Sequence, residues 1–273
     1  RSPLSENLAV GIVVFAIGLF KKTVIADNLA IYATPVFANA DGGGSVDFFT
    51  AWQGALAYTG QLYFDFSGYS DMAIGAARLF GVRLPANFDS PYKATNIVDF
   101  WRRWHMTLSR FLRDYLYFPL GGNRKGNLRR YTNLLLTMLL GGLWHGAGWT
   151  FVIWGGLHGL YLVVNHAWQR MTRRFNGFGS PNARWVLRRI SHVITFLAVV
   201  IGWVFFRSET LDGAFAMLLA MSGDHGLSLP NAIGVRLGVI GHLLQEVGVR
   251  FTLGGGAQFI WGWLWITGAL LVA

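Results

Sequence analysis

YTNLLLTMLLGGLWHGAGWTFVIWGGLHGLYLVVNHAWQ, residues Tyr131 to Gln169, is a run of 39 residues without a single Asp, Glu, Lys or Arg. A helical crossing of a bilayer takes about 20 apolar residues, and 39 helical residues would reach roughly 58 Å, too long for one span. The Gly-rich stretch Leu143-Trp144-His145-Gly146-Ala147-Gly148-Trp149 sits near the middle. The run therefore reads as two helices joined around His145, a hairpin within the membrane. Irregular backbone at that depth is tolerated only where protein or a water-filled cavity surrounds it. An ionisable side chain placed there is a candidate functional group.

Working outward, further runs free of charged residues cover Asn7–Phe20, Asn28–Ala40, Phe48–Phe64, Ile190–Phe206 and Phe251–Ala273. The first two are short, at 14 and 13 residues, and read as tilted, re-entrant or extended past Lys21 and Lys22 by snorkelling. The 273-residue chain is 53% hydrophobic and only 13% charged, against roughly 25% charged in soluble domains. It is read as one all-α, polytopic membrane domain over residues 1–273. Its 12 Trp and 21 Phe exclude a disordered chain, and its lack of Cys excludes disulfides, thiolate metal sites and a thiol nucleophile. The 35 Gly suit close helix packing in a bilayer. No charged n-region, short apolar core and cleavage site opens the chain, so no signal peptide is expected. With Arg1 first, and an apolar run without a polar flank last, it reads as a piece of a longer protein.

Charge is concentrated beside the hairpin. Residues Arg78 to Arg130 hold eleven Lys and Arg against three Asp, and Arg170 to Arg189 hold six Arg and no acid. By the positive-inside rule both flanks are cytoplasmic and the hairpin points away from the cytoplasm. The sequence pI of 10.3 is assigned to topology and anionic lipid headgroups, with no nucleic-acid partner.

Between the flanks, Asn96–Tyr117 reads as one amphipathic helix. Arg102, Arg103, Arg110 and Arg113 fall within about 100° of one another on a helical wheel, opposite Trp101, Trp104, Leu108, Phe111, Leu112 and Tyr115. Asn96 is placed to cap its start. An Arg face opposite an aromatic face suits a helix lying in the membrane interface, and the Arg face suits either lipid phosphates or the phosphates of a coenzyme A donor. His105 sits at the edge of the apolar face, where spacing alone permits a packed histidine as readily as a reactive one. His158, one turn after Trp154, reads as packing. Asp65 and Asp71 flank a turn-like Ser-Gly-Tyr-Ser stretch and are assigned structural roles.

The reactive repertoire narrows by elimination. No His-Glu-x-x-His zinc motif, Gly-x-Ser-x-Gly elbow or phosphate-binding P-loop occurs. Nor does any His precede Asp in the His-x4-Asp pattern of soluble glycerolipid-type acyltransferases. What remains is His145 in the membrane, with no metal expected.

Five stretches, Gln61–Gly75, Pro85-Ala-Asn-Phe-Asp-Ser-Pro-Tyr92, Phe100-Trp-Arg-Arg-Trp-His-Met-Thr-Leu-Ser109, Leu112–Gly122 and Gly142-Leu-Trp-His-Gly-Ala147, together resemble the membrane-bound O-acyltransferase family, and most closely its alginate O-acetyltransferase-like branch. The likeness is dense over residues 7–168. It implies a helical bundle with short, broken and in-plane helices around a central tunnel, lacking here the family's N-terminal helices. It also implies His145 as the catalytic histidine and His105 at the second active-site position. On this reading an acetyl group, with acetyl-CoA as donor and no bound cofactor, moves from the cytoplasmic side of a bacterial inner membrane towards a hydroxyl of an extracytoplasmic polysaccharide such as alginate. Arg102 and Arg103 would contact the donor. The expected partners are the bilayer, the donor, and the secreted polysaccharide or a periplasmic acetyltransferase. D-alanyl transfer in a teichoic-acid pathway and proton-coupled transport are the competing readings.

Overall fold

The computed structural model describes residues 4–172 and 180–273; Arg173 and Arg174 of the basic flank lie outside the described residues. The protein is mostly helical. Helices α1 (Leu4–Phe20) and α2 (Asp27–Asp41) run together through a π-helical turn at Lys21–Ala26, giving a helical stretch of 38 residues. The two short N-terminal runs thus do extend past Lys21 and Lys22. Lys22 is satisfied on the way by Asp27 and Asp65, each 2.7 Å from its Nζ.

Helix α3 spans Phe48–Leu79. The Ser-Gly-Tyr-Ser stretch expected to turn is part of this continuous helix, from which Asp65 pairs with Lys22. After α3 the chain turns at Phe80 and Gly81, runs without regular secondary structure to a left-handed Ser90, makes one 3-10 turn at Pro91–Lys93, and enters α4 (Ile97–Arg103) and α5 (Met106–Leu112). A π-helical turn at Arg113–Tyr117 follows. The hairpin is α6 (Gly126–His145) and α7 (Trp149–Thr172), followed by α8 (Pro181–Arg207) and α9 (Leu211–Ser222). Beyond these come β1 (Leu227–Pro230), α10 (Asn231–Leu237), α11 (Val239–Glu246), β2 (Val249–Thr252) and α12 (Gly256–Val272). The all-α expectation therefore needs one small amendment, a parallel pair of four-residue strands, β1 beside β2.

Two of the described helical stretches, Leu4–Asp41 and Pro181–Arg207, are long and apolar enough to cross a bilayer by length and composition. Only 11% of the apolar window in the first is buried, and Ile12, Val13 and Ile17 stand open on α1. A row of exposed aliphatic side chains of this kind marks a surface for membrane or protein contact.

The chain divides into two units. Residues 1–18 and 70–206 form the first, and residues 19–69 and 207–273 the second. In the first, α6 packs along α7 with their backbones in contact: a Cβ on Gly155 would strike the Met138 carbonyl, and one on Gly142 would lie 3.1 Å from the Gly155 Cα and strike the Phe151 carbonyl. Such close approach is how helices associate where no hydrophobic force separates them from lipid. In the second unit, Asp41 accepts from the Glu209 and Thr210 amides at 3.1 Å each, and Thr210 caps α9 by accepting from the Gly213 N–H. The Arg207 guanidinium there lies 5.6 Å from the Phe37 ring centroid.

Candidate active site

All the candidate residues belong to the first unit. His145 is the last residue of α6, and Gly146, Ala147 and Gly148 carry the chain into α7, so the hairpin breaks where the sequence places it. The His145 imidazole is half-buried among aromatic rings. Trp154 and Phe206 each lie edge-on at 5.2 Å between centroids, and Trp144 at 5.0 Å.

His105 departs from the expected wheel. Asn96–Tyr117 is not one helix: α4 ends at Arg103, Trp104 is extended, and His105 sits in the left-handed region at φ 41°, ψ 56°. A left-handed non-glycine residue costs roughly 1–2 kcal/mol, so the surroundings must hold it. Trp104 supplies part of that hold. It is buried, 4.8 Å from Trp203 and 5.1 Å from Phe88 between centroids, and this burial pulls the chain out of the helical path.

The rest comes from the segment before α4. The Asn87 carbonyl accepts from the Met106 N–H at 2.9 Å, and the Asp89 N–H donates to the Arg103 carbonyl at 3.0 Å, so the two stretches pair across the break. The Asn87 side-chain oxygen lies 3.1 Å from His105 Nδ1 and accepts from the Thr107 hydroxyl at 2.9 Å. The Phe88 ring stacks on the imidazole at 6.4 Å. In this in-plane segment burial, followed by the nearby His145, lowers the His105 imidazole from its ordinary value to about 4.

The Arg face divides. Arg102, Arg110 and Arg113 line a cavity of about 790 Å³, joined by Arg130 of α6 and His166 of α7. Trp101, Met106 and Leu162 give it an apolar wall. Its size is within the range of small-molecule clefts, and Met106, the residue after His105, lines it. Arg103 does not line it. Its Nε donates to Asp99 at 3.0 Å and its Nη1 to the Asp89 carbonyl at 3.3 Å, which binds the broken helix to the segment before it. Asn96 caps α4 as expected, accepting from the Asp99 N–H at 2.9 Å.

His158 is fully buried against Trp101, Trp154 and Trp203. Its ring nitrogens have no hydrogen-bond partner among the described residues, and Gly202 leaves the room it fills. Among the described residues no cluster of His, Asp and Glu is arranged to hold a metal ion. Sequence reasoning passed over Asn87, Thr107, Arg130 and His166 as site residues. Only Asn87 carried a signal, its place in the Pro85–Tyr92 stretch.

Residues 1–205 match the profile of the membrane-bound O-acyltransferase family. The chain is 53% identical over 224 residues to a peptidoglycan O-acetyltransferase of Helicobacter pylori, covering 82% of this chain and 41% of that protein. It is 49% identical over 230 residues to a probable alginate O-acetylase, AlgI, of Azotobacter vinelandii, covering 84% of this chain and 43% of that protein. A teichoic acid D-alanyltransferase of Streptococcus thermophilus is 29% identical over 221 residues, with 76% of this chain and 53% of that protein covered. This chain therefore belongs to the membrane-bound O-acyltransferase family. It spans well under half the length of the peptidoglycan and alginate relatives it matches.

Proposed function

We propose that the protein of which this chain is part is a multi-pass O-acetyltransferase of a bacterial inner membrane. It moves an acetyl group from a cytoplasmic thioester donor, acetyl-CoA, towards a hydroxyl of an extracytoplasmic polysaccharide, through a passage in the helical body. The observation that carries this reading is the cavity lined by Arg102, Arg110, Arg113 and Arg130, which reaches Met106, the residue after His105. The two relatives at about half identity are named for O-acetylation of peptidoglycan and of alginate, which supports a glycan as the acceptor.

In this mechanism a neutral imidazole of His145 takes the proton of the acceptor hydroxyl as its oxygen attacks the acetyl carbon. The carbon–sulfur bond then breaks, and the proton passes to the departing thiolate. His105 shares the site as a second neutral imidazole. Arg102, Arg110, Arg113 and Arg130 offer charge-assisted hydrogen bonds to donor phosphates, and the apolar wall of the cavity takes the uncharged arm. Arg103 acts at a distance, by keeping the break at His105 in shape. Delivery to a separate periplasmic transferase would use the same chemistry with a different final hydroxyl.

The test is ester-linked acetyl on the secreted glycan, measured by NMR in cells carrying full-length wild type or His145→Ala at matched membrane abundance. Acetyl present in the first and absent in the second supports the proposal. Equal acetylation overturns it and returns a proton-coupled carrier to consideration.

A further inference from the structure

Asn87 makes more contacts to the His105 junction than a packing residue needs. Its side-chain oxygen is 3.2 Å from the Thr107 backbone nitrogen, 2.9 Å from the Thr107 hydroxyl and 3.1 Å from His105 Nδ1. Its amide nitrogen is 3.2 Å from the Ser70 hydroxyl, at the opposite end of the same group. An amide can be turned end for end without changing its shape, so the partners must decide which atom is which. A backbone N–H only donates, and the Thr107 N–H therefore fixes the atom facing it as the acceptor oxygen.

That assignment fixes the proton on the ring. A carbonyl oxygen only accepts, so a ring nitrogen 3.1 Å from it must be a donor. The competing arrangement turns the Thr107 hydroxyl, 3.4 Å from Nδ1, to donate to an unprotonated Nδ1. It would leave that nitrogen facing the Asn87 oxygen with two lone pairs opposed. A neutral imidazole carries one N–H, and with it at Nδ1 the lone pair lies on Nε2.

We propose that Asn87 is a positioning residue that holds His105 in the Nδ1–H tautomer and so keeps Nε2 as the basic nitrogen of the ring. The inference rests on the reading of His105 as part of the transfer site. The outer hydrogen bond of a histidine selects which nitrogen is free to react. A carboxylate in this place would select the same nitrogen, but its charge would also favour the imidazolium. The neutral amide fixes the tautomer and leaves the ring uncharged, which suits a group that must accept a proton or a hydrogen bond at neutral pH. The left-handed backbone at His105 serves the same end: it turns the ring back towards Asn87 and Phe88, where a continuing helix would carry it away.

The experiment is ¹⁵N NMR of the full-length protein with labelled histidine in lipid nanodiscs, alongside acetyl-transfer kinetics. The His105 signals are those that vanish in His105→Gln. In the wild type we expect Nδ1 protonated and Nε2 bare. Asn87→Ala should move His105 to the Nε2–H form or to a mixture, and lower kcat about tenfold or more with little change in the KM for the donor. Asn87→Asp, which keeps an acceptor oxygen, should restore the Nδ1–H form. A wild-type spectrum with Nε2 protonated, or an unchanged tautomer in Asn87→Ala, would overturn the proposal; the wild-type spectrum decides even where Asn87→Ala fails to fold. Undiminished transfer by His105→Gln would overturn the catalytic reading beneath it, and the wild-type tautomer tells that failure apart from a failure of Asn87 to hold the ring.

Discussion

The His145 imidazole stands edge-on to the Trp154 indole, with centroids 5.2 Å apart and planes at 90°. The last side chain of α6 is thereby walled by the second turn of α7, across a three-residue break. Trp154 is 2% exposed, and Trp154→Ala should cost about 3–5 kcal/mol of stability. In the fraction that still folds, acetyl transfer should fall because the ring is no longer held. Transfer per folded molecule at the wild-type level, measured after detergent extraction and size-exclusion chromatography, would remove Trp154 from the positioning of His145.

The contact between α6 and α7 allows no side chain at Gly155. Gly155→Val would push a branched side chain into the Met138 carbonyl and should lower stability by about 1–3 kcal/mol or more, as overpacking does. Gly156→Val is the control, since a Cβ there meets only the Leu139 side chain at 3.4 Å. The thermal midpoints of the two variants in detergent should differ clearly; similar midpoints would contradict the close-packed hairpin.

Arg102 and Arg103 are neighbours with different duties, and their variants should separate. Arg102→Gln should raise the KM for the acetyl donor with kcat little changed, because Arg102 lines the cavity. Arg103→Gln should leave that KM near its wild-type value and lower stability by on the order of 1 kcal/mol, through the lost bonds to Asp99 and the Asp89 carbonyl. Unchanged donor KM in Arg102→Gln would reassign the Arg face to lipid headgroups.

The lowered His105 value carries a sign that can be checked. The folded state holds this imidazole near 4 against an ordinary 6.5, so between those values an unfolded chain binds a proton that the folded chain refuses. Stability therefore falls as pH drops through that window. The thermal midpoint of the wild type should decrease from pH 7 to pH 5, and part of that decrease should disappear in His105→Gln. An identical decrease in both proteins would mean that His105 is not held neutral by the fold.

The sequence by itself determined the parts of this protein that are written along one dimension. The uncharged run from Tyr131 to Gln169 is too long for one crossing, and its glycines lie where the helix stops, so the break at His145 follows from hydropathy and local backbone preference. The cap at Asn96 followed in the same way, but the meeting of Arg102 with Arg110 and Arg113 in one cavity did not, since helical phase is lost across the break between α4 and α5. Nor did the break at His105 itself. Nothing between Asn96 and Tyr117 is a Gly or Pro, and the amphipathic pattern continues through it without a fault. Only tertiary structure decides that the burial of Trp104 and the bonds from Asn87 outweigh the cost of a left-handed histidine. The same is true of Arg103, whose duty depends on Asp89 lying across from it, and of Asp65, whose partner Lys22 comes from a different part of the chain. These outcomes depend on distances between segments far apart in the chain, and periodicity within a segment carries no information about them.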